Sequence, residues 1–454
     1  MNQLLLRPTD VLFFKDGRPM SGSLSGHGAA WPLPTVTSAA LHAALWRAGI
    51  EGVHEHRRGR SGQYSNADKD RDRKFGSLKT AGPFPVCPKG SAATWFFPRP
   101  LDAGILGEIT ASFLPLAKGF DRAQSSLPQP LQFAVANTEK ATKDQPKSWW
   151  SEGAWNTYLG TKPRAADAGR QFFKSDSDFA DTESTFGIGI DPETATQDGE
   201  RFYSAHYLRL RDGWGLGCLA EAEDKEFKGK DGNNDLVKAV FPNSGSQTPV
   251  IVGGQQRLCT VRCDNPTKLP LPLGKVHGFK QEDPDGKATW LVKWVLLTPG
   301  IFPQLDAHPG GWLPSWIRHT DGAVMLKFDC TERKIGEGRT TWRKRIAEMP
   351  SIPATLVAAI IGKPIHVTGY ALDNGLDDRA PGPKPTHLAV PAGSVYYFKC
   401  TDEAAAQKLA AALNWHGCGD PSTIRNRRST LMGEKGFGLG VCGTWSFHNG
   451  QRPD

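Results

Sequence analysis

The first element that the hydrophobic pattern predicts is an N-terminal strand. Residues 4–6 and 11–14 form two short apolar runs on either side of Pro8. Because proline cannot donate to a strand ladder, the pattern indicates a strand that bends or breaks at this position. A glycine- and serine-rich loop follows at residues 15–28.

A helix is predicted next, because apolar residues recur at helical spacing through Leu41, Leu45 and Ala48. Thr35 or Ser38 carries the side-chain oxygen that a helix N-cap uses. The helix therefore begins close to one of these two residues in our interpretation.

The pattern weakens between about residues 50 and 180, where we expect a large insertion that holds short strands punctuated by turns. Residues 54–74 contain seven lysines or arginines and four acids, with almost no apolar residue. This composition is typical of a mobile, solvated segment. Trp149, Trp150 and Trp155 end a polar stretch, and we favour a local core for them over a partner-facing surface.

Regular alternation resumes after the insertion and predicts, in order, a hairpin of residues 187–190 with 201–210, a short helix at 235–240, and strands at 250–252 and through Val261. In the second half we predict a strand at 290–297, a helical region at 341–361, strands at 365–371 and 394–400, a helix that Asp402 caps, and a final strand at 441–445.

Both halves of the chain therefore give the order β-α-β-β-α-β. The predicted fold class is α+β, with two tandem ferredoxin-like domains. The first is expected at residues 1–265, with the insertion at about 50–180, and the second at residues 285–454.

The clearest chemical signal is the glycine-rich stretch at residues 433–445. Its glycines allow positive φ and let another backbone come close. Lys435 and Phe437 lie between them, a cation and an aromatic ring of the kind that grips a phosphate and stacks a base. Further positive charge lies just upstream, at Arg425, Arg427 and Arg428. We predict a nucleic-acid backbone as the partner; the structural alternative is a glycine-rich bulge before an edge strand.

The spacing of Gly438, Gly440 and Gly443 also matches a dinucleotide-binding fingerprint. That fingerprint needs a strand before it, a helix after it and an acidic residue about 20 residues later. Only 11 residues follow Gly443 in the 454-residue sequence. We therefore reject a nicotinamide site and expect no cofactor.

Composition and charge narrow the class of protein. A length of 454 residues is typical of two domains, and 50 glycines with 34 prolines indicate long loops. The formal net charge of +8 favours anionic partners. The apolar run at residues 4–6 is too short for a signal peptide or a membrane span, so we expect a cytoplasmic protein that does not enter a membrane.

Cysteine and histidine spacing predicts no metal site. The eight cysteines are scattered without a C-x-x-C pair, so we expect reduced thiols. Cys259 and Cys263 share one face of a predicted strand but lie too far apart to bind one metal together. His416 and Cys418 have no obvious second pair of ligands.

A series of short strings along nearly the whole chain resembles one known family, the third subunit of the type III-B CRISPR Cmr complex, within the RAMP superfamily. These strings are RPTD at 7–10, FFKDGRP at 13–19, WPLP at 31–34, FPRPLD at 97–102, GIGID at 187–191, GGQQR at 253–257, TPGIF at 298–302, KP at 384–385, VPAGSVYY at 390–397 and the terminal glycine loop. The chain departs from the expected pattern at Lys15, where arginine is expected, and at Gln255-Gln256, where Glu-Gly is expected. A lysine cannot make the bidentate phosphate contact of an arginine.

The resemblance implies a non-catalytic assembly subunit. It would hold the 5′ repeat-derived handle of a CRISPR RNA and dock on a large polymerase-like subunit beside the backbone RAMP subunits. Together with the basic clusters, it suggests RNA contacts by Lys15, Arg18, His27, Arg257, Lys384, Arg425, Arg427, Arg428, Lys435, Gly436, Phe437 and Gly438.

Two other functions stay open on sequence grounds. One is a metal-independent endoribonuclease of the same superfamily, for which His42 on the first helix and His27 in the loop before it are the candidate general bases. A helix-surface or core histidine is the favoured interpretation of His42. The other is a generic basic scaffold that touches RNA only incidentally.

Overall fold

The computed structural model describes residues 1–14, 24–26, 31–48, 78–89, 92–104, 111–117, 127–139, 143–144, 146–161, 172–223, 234–241, 248–328, 338–371 and 382–448. Strands dominate these residues and helices are few, which confirms the α+β class. The predictions for residues 54–74 lie outside the described residues. None of the helices in these ranges is long and apolar enough to cross a membrane.

The strands, in chain order, are β1 Asn2–Pro8, β2 Leu24–Gly26, β3 Lys79–Lys89, β4 Ala92–Pro98, β5 Phe113–Pro115, β6 Val135–Asn137, β7 Trp149–Ser151, β8 Phe173–Lys174, β9 Ala180–Ile190, β10 Gln197–Leu210, β11 Gly215–Glu221, β12 Thr248–Ile251, β13 Leu258–Asp264, β14 Lys280–Glu282, β15 Ala288–Leu296, β16 Gly300–Ile301, β17 Ala354–Ile360, β18 Ile365–Val367, β19 Tyr370–Ala371, β20 Gly382–Pro383, β21 His387–Val390, β22 Val395–Cys400 and β23 Gly440–Thr444. The helices are α1 Pro34–Arg47, α2 Glu152–Leu159, α3 Leu236–Val240, α4 Arg339–Glu348 and α5 Glu403–Leu413, with 3-10 turns at Asp176–Asp178 and Gly433–Lys435.

The first large sheet has eight strands in the order β12-β13-β1-β11-β3-β4-β7-β8. β1 pairs antiparallel with β11 on one side and with β13 on the other. Successive side chains of a strand point to opposite faces. Leu5 therefore packs on one face of the sheet, while Leu4 and Leu6 pack on the other.

The second large sheet has five strands, in the order β14-β15-β22-β17, with β23 also paired to β15. Along β15, Leu291 and Val295 face the same core as Leu5 of the first sheet. Val292 and Trp294 face the opposite way, into a core that α5 covers. The two sheets thus pack face to face, and each carries helices on its outer face.

The core between the two sheets is built jointly by both halves of the chain. Phe84, Trp95 and Phe97 from the first sheet and Tyr397 and Val441 from the second belong to this one cluster of buried residues. α1 and α3 close the outer face of the first sheet. Since the largest shared core lies between the sheets, neither sheet has both faces covered without the other.

The position of the expected insertion needs correction. β3 and β4 lie within residues 50–180 but belong to the first large sheet, where β3 pairs with β11 and β4. The ladder between β3 and β11 shifts register opposite Gly82 and Pro83. A proline at such a bulge interrupts no ladder hydrogen bond, so Pro83 does not prevent a central strand.

The predicted hairpin is confirmed as β9 and β10, which pair from Ala180 to Leu210. However, it forms a separate three-stranded sheet with β2 rather than part of the first large sheet. β11, at Gly215–Glu221, takes the place beside β1 instead. The sequence analysis missed β11 because its short, glycine-containing run lacks clear alternation.

Two predictions about helices are wrong. α1 begins at Pro34 with Leu33 as its N-cap and no side-chain cap, because proline at the first helical position needs no hydrogen-bond acceptor for its nitrogen. The helical region expected at 341–361 ends at Glu348. Residues 354–360 form β17, which pairs with β22 along the edge of the second sheet.

Several local predictions are confirmed. The Asp402 carboxylate accepts a hydrogen bond from the Ala405 N–H at 2.8 Å and caps α5. Trp149, Trp150 and Trp155 are buried as a local core. The expectation of reduced thiols holds for the six cysteines that are free, but it is wrong for Cys418, which forms a disulfide that sequence spacing could not reveal.

One ion pair lies inside the core between the sheets. The Lys293 Nζ of β15 lies 2.8 Å from the Asp102 Oδ2, and these side chains are 3% and 0% exposed. The Tyr158 hydroxyl of α2 donates to the other Asp102 oxygen, and Lys293 also lies 4.0 Å from the centre of the Tyr158 ring. Burial lowers the pKa of Lys293, although Asp102 acts in the opposite direction.

His416, just after α5, provides a prediction about acid stability. It is 5% exposed, and its Nε2 accepts the Gly274 N–H at 3.2 Å. Burial lowers the pKa of His416 to about 4, while the unfolded chain titrates near the ordinary value of 6.5. Between these two values only the unfolded chain binds the proton, so the free energy of unfolding should fall by about 2 kcal/mol as the pH drops from about 7 to about 5.

Denaturant unfolding across this pH range measures that effect. His416→Gln should flatten the acid slope, whereas His277→Gln, at an exposed histidine, should leave it unchanged. An acid slope that is the same in all three proteins would contradict the assignment to His416.

Candidate nucleic-acid interface

The glycine loop at residues 433–438 packs against the rest of the chain. Gly436 has φ +100°, and a Cβ added there would lie 3.1 Å from Ala81 Cα and 3.1 Å from the Thr80 carbonyl oxygen of β3. The Gly438 N–H donates to the Pro299 carbonyl at 2.7 Å. The loop therefore joins the C-terminal half of the chain to the first large sheet.

The close backbone approach expected at this loop is present, but the neighbour is protein. A Cβ at Gly438 would lie 2.0 Å from the Ser429 nitrogen, with φ at +75°. Ser429 is itself held in place, since its hydroxyl accepts the Ile301 N–H at 2.8 Å. Gly436 and Gly438 thus meet Thr80, Ala81 and Ser429, and their contact with RNA stays a prediction.

Phe437 also contacts protein. Its ring is 0% exposed and packs with Ile301, Val367 and Ala389 in a small apolar cluster. A base needs an open ring face to stack upon. In this conformation Phe437 offers none, and its role is to fix the loop.

Arg427 and Arg428 use their guanidinium groups to hold backbone carbonyls. Arg427 Nη1 donates to the Thr80 carbonyl at 2.7 Å and to the Gly433 carbonyl at 3.1 Å. Arg428 Nε donates to the Ala412 carbonyl at 2.6 Å, and burial lowers the pKa of Arg428 to about 10. These contacts are structural, so the prediction that both arginines bind phosphate is not supported by their geometry.

Lys435 and Lys384 form a basic site beside the loop. Lys384 is exposed and Lys435 half-buried, and they lie close enough for their charges to interact. Burial lowers the pKa of Lys435, Glu434 opposes this shift, and Lys384 adds to it. Two cations held near each other are stabilised by an anion between them, as a phosphate would be.

A second basic site surrounds Arg257, which the sequence analysis also singled out. Its guanidinium carbon lies 5.1 Å from the centre of the Tyr207 ring. Phe13 extends the aromatic surface, with its ring 5.5 Å from that of Tyr207. Asp10 faces the same guanidinium, since Arg257 Nη1 donates to Asp10 Oδ2 at 3.4 Å.

Tyr207 and Asp10 were missed as members of this site. Their only signal in the sequence is indirect: Tyr207 lies on a predicted strand, and Asp10 belongs to a string of the family resemblance. Burial acts to raise the pKa of Tyr207, but hydrogen bonds with Gln255, Thr185 and Arg257 lower it overall. The site therefore depends on β10 and on the 253–257 loop meeting in space.

The backbone of the 253–257 loop is tightly constrained. Gln255 and Gln256 have φ of 56° and 51°, in the left-handed region that side chains rarely adopt. A Cβ at Gly253 would lie 2.5 Å from the Phe13 carbonyl oxygen. The positive φ of Gln256 accounts for the glycine that the family resemblance led us to expect there.

The two basic sites border the ends of one segment. The 253–257 loop packs on Phe13, close to the start of residues 15–23. A Cβ built at Gly436 would lie 3.4 Å from Pro34 Cβ, shortly after residues 27–30 end. Lys15, Arg18 and His27 lie in that segment, outside the described residues. Arg425 is exposed and lies against Gly417 and Gly419, with its Cδ 3.2 Å from a Cβ built at Gly417.

The candidate catalytic groups of this surface are few in the described part of the chain. Among the described residues, no group of three or more potential metal ligands comes together. His42, the candidate general base, is half-buried on α1. Arg257 lies beside the half-buried rings of Tyr207 and Phe13, and a cation beside aromatic rings is an arrangement that can hold single-stranded nucleic acid.

One family model matches nearly the whole chain. The family described as "CRISPR-associated protein (Cas_Cmr3)" matches residues 4–445. Among solved structures, the cryo-EM structure of the Type III-B Cmr-beta bound to cognate target RNA is similar at 13% identity, over 87% of this chain and 86% of that chain, with a TM-score of 0.37. The crystal structure of the Csm3-Csm4 subcomplex of the type III-A CRISPR-Cas interference complex is similar at 10% identity, over 87% and 92%, with a TM-score of 0.34. Among curated proteins, none matches this chain.

Proposed function

The chain belongs to the Cas_Cmr3 family of CRISPR-associated proteins, and from this we propose that it is the non-catalytic RNA-binding subunit of a type III-B CRISPR effector complex. In that antiviral, RNA-guided complex it holds the 5′ handle of the CRISPR RNA. It docks on the large polymerase-like subunit and on the backbone RAMP subunits, in the cytoplasm.

The finer part of the fold prediction, two tandem ferredoxin-like domains at 1–265 and 285–454, belongs to the same proposal. It is supported by the strand orders β13-β1-β11-β3 in the first sheet and β23-β15-β22-β17 in the second. When the four strands of each half are numbered in chain order, both sheets have the order 4-1-3-2. A β-α-β-β-α-β unit whose neighbouring strands are antiparallel has this order. α1 and α3 lie between the corresponding strands of the first half, and α4 and α5 between those of the second.

The observation that carries the RNA-binding part of the proposal is the cation–π contact of Arg257 with Tyr207 beside Phe13. The guanidinium group of an arginine can bind phosphate through its N–H groups, and aromatic rings beside it can stack with bases. Splayed single-stranded RNA is held by such aromatic and cationic pairs. Lys384 and Lys435 supply a second group of phosphate contacts, near the end of the segment that carries Lys15, Arg18 and His27.

The glycine loop has an indirect role in this proposal. Through Gly436, Phe437 and Gly438 it fixes Lys435 against the first large sheet. Arg427 reinforces the same contact through the Thr80 carbonyl. The loop thus presents the cation, and its glycines bring protein surfaces together.

Replacing Arg257 and replacing its neighbour Asp10 should change the RNA affinity in opposite directions. Arg257→Ala should weaken binding of single-stranded handle RNA several-fold and lower the slope of log affinity against log salt by about one unit. Asp10→Asn should strengthen binding, because it removes the carboxylate that faces Arg257 and would repel phosphate. Fluorescence anisotropy with labelled RNA at several salt concentrations measures both effects.

Arg211→Ala is the matched control, since it removes one exposed arginine that pairs with Asp181 elsewhere. It should change affinity little, and Lys435→Ala should lower the salt slope as Arg257→Ala does. Equal losses from Arg211→Ala and Arg257→Ala would mean that net charge alone drives binding, which is the generic-scaffold function.

The non-catalytic part of the proposal is tested at His42. In the complex reconstituted with its partner subunits, His42→Ala and His27→Ala should leave the length of the CRISPR RNA unchanged. A general base that lost its imidazole would lower cleavage by a factor of about 100 or more. Uncut precursor RNA in the His42→Ala complex, where the wild type yields mature ends, would establish the endoribonuclease instead.

A further inference from the structure

The turn between β12 and β13 has an unusual backbone. The Val252 N–H donates to the Arg257 carbonyl at 2.8 Å, and the Arg257 N–H donates to the Gly254 carbonyl at 3.5 Å. Gln255 and Gln256 are the two residues at the centre of this turn, with φ of 56° and 51°. Positive φ at both central residues is the mark of a type I′ hairpin turn, which joins two antiparallel strands tightly.

Two glutamines are poorly suited to a turn of this type. Type I′ turns favour glycine, which has no Cβ, and asparagine or aspartate, whose short side chains hydrogen-bond to nearby backbone groups. A glutamine gains neither advantage, so the backbone is strained. Gln255 and Gln256 are the only consecutive non-glycine residues with positive φ in the described part of the chain. The turn geometry therefore does not explain them, and strain of this kind clusters at functional positions.

Gln255 has a role within the protein. Its Oε1 accepts a hydrogen bond from Arg257 Nη2 at 3.3 Å, and its side chain also hydrogen-bonds with Tyr207. Arg257 itself lies 5.1 Å from the centre of the Tyr207 ring. Gln255 thus holds together the cation and the aromatic ring of the proposed RNA site, which accounts for one of the two glutamines.

Gln256 has no such role. Its side chain is exposed, and its amide makes no hydrogen bond within the described ranges of the chain. It is nevertheless the direct neighbour of Arg257 in the same turn. An amide without a partner within the protein, at a strained position next to a cation and an aromatic ring, points to a ligand.

The chemistry of a carboxamide selects among the parts of an RNA strand. It has an N–H donor beside a C=O acceptor, whereas an ionised phosphate offers acceptors alone. The edge of a nucleobase presents donors and acceptors side by side, and a glutamine can pair with two of them at once. In single-stranded RNA these edges are accessible, because no second strand covers them. A base is thus a better partner for Gln256 than a phosphate, which Arg257 can bind.

We propose that Gln256 hydrogen-bonds to the edge of one base of the bound RNA, beside the phosphate that Arg257 holds. The inference rests on the proposed function, because it requires that single-stranded handle RNA binds at Arg257 and Tyr207. It adds sequence selectivity to a site whose other groups, a cation and aromatic rings, accept any base.

Handle RNAs in which each position is changed in turn to the other three bases test this on the full-length chain. Fluorescence anisotropy should find one position at which the wild-type affinity changes about fivefold or more with the base. In Gln256→Gly and Gln256→Met this dependence should vanish, because neither variant has an amide. Gln256→Gly should also raise the urea midpoint of unfolding, since glycine relieves the strain, whereas Gln256→Met should leave the midpoint close to that of the wild type.

Ala195→Gly is the matched control. Ala195 has φ of 55° in another exposed turn, so this variant should raise the urea midpoint without changing the RNA affinity or its dependence on the base. If Gln256→Gly and Gln256→Met kept the base dependence of the wild type, or if the wild type showed none at any position, the base contact of Gln256 would be overturned and the proposed function would stand. A wild-type chain that did not bind handle RNA at all would overturn both.

Discussion

Gly438→Val should destabilise the folded protein by about 3 kcal/mol or more and remove the handle RNA with it. Two effects add at this position. A valine at φ +75° has a strained backbone, and its Cβ would lie 2.0 Å from the Ser429 nitrogen, where no relaxation of a flexible side chain can help. Denaturant unfolding of the variant measures the loss, and RNA recovered with the reconstituted complex reports the functional effect.

Gly286→Val separates the two effects. Gly286 also has φ +75°, but nothing lies within 4 Å of a Cβ built there. This variant should show only the backbone strain, about 1–2 kcal/mol. If both variants lost the same stability, the clash with Ser429 would not be the reason for the glycine at 438.

Asp102→Ala should be similarly damaging, because it leaves the Lys293 ammonium in the core without its partner. Breaking a buried ion pair from one side typically costs about 3–5 kcal/mol. The Tyr158 hydroxyl loses its acceptor in the same variant, which adds a buried donor without a hydrogen bond. The midpoint and slope of urea unfolding, compared with the wild type, give the size of the effect.

The double variant Asp102→Ala with Lys293→Met is the informative control. It removes both charges and puts an unbranched apolar side chain, one atom shorter than lysine, at position 293, so most of the lost stability should return. A double variant that is less stable than Asp102→Ala alone would show that Lys293 contributes through contacts other than the ion pair.

The order of strands and helices in the second half could largely be predicted from the sequence, because its elements are locally consistent. Asp402 and the alanine- and leucine-rich run after it specify α5 without help from the rest of the fold. Residues 354–360 show the limit of such reasoning. Their alanines and isoleucine are compatible with a helix, and these residues form a strand because they pair with β22.

The first half was harder to predict because its central strand breaks a local rule. β3 contains three prolines, at 83, 85 and 88, which argue against a strand inside a sheet. The register shift opposite Gly82 and Pro83 makes room for one of them. No local pattern specifies such a shift, since it depends on how β11 lies beside β3.

The candidate site shows what spacing can and cannot specify. The glycines of the terminal loop do allow a close approach, as predicted, but their pattern does not tell which backbone approaches. Arg427 and Arg428 look the same in the sequence as exposed arginines, although their guanidinium groups hold carbonyls. Arg257 was identified through the family resemblance, whereas its aromatic partner Tyr207 is 50 residues away in the chain.

The core shared between the two sheets has a consequence for synthesis on the ribosome. Strands β1 to β13 leave the exit tunnel first and can pair, yet one apolar face of their sheet stays bare until β15 and β22 have been made. β23, which completes the second sheet, comes only at Gly440–Thr444. For most of its translation the nascent chain therefore presents a wide apolar surface, and it should bind ribosome-associated chaperones until the last strand closes the fold.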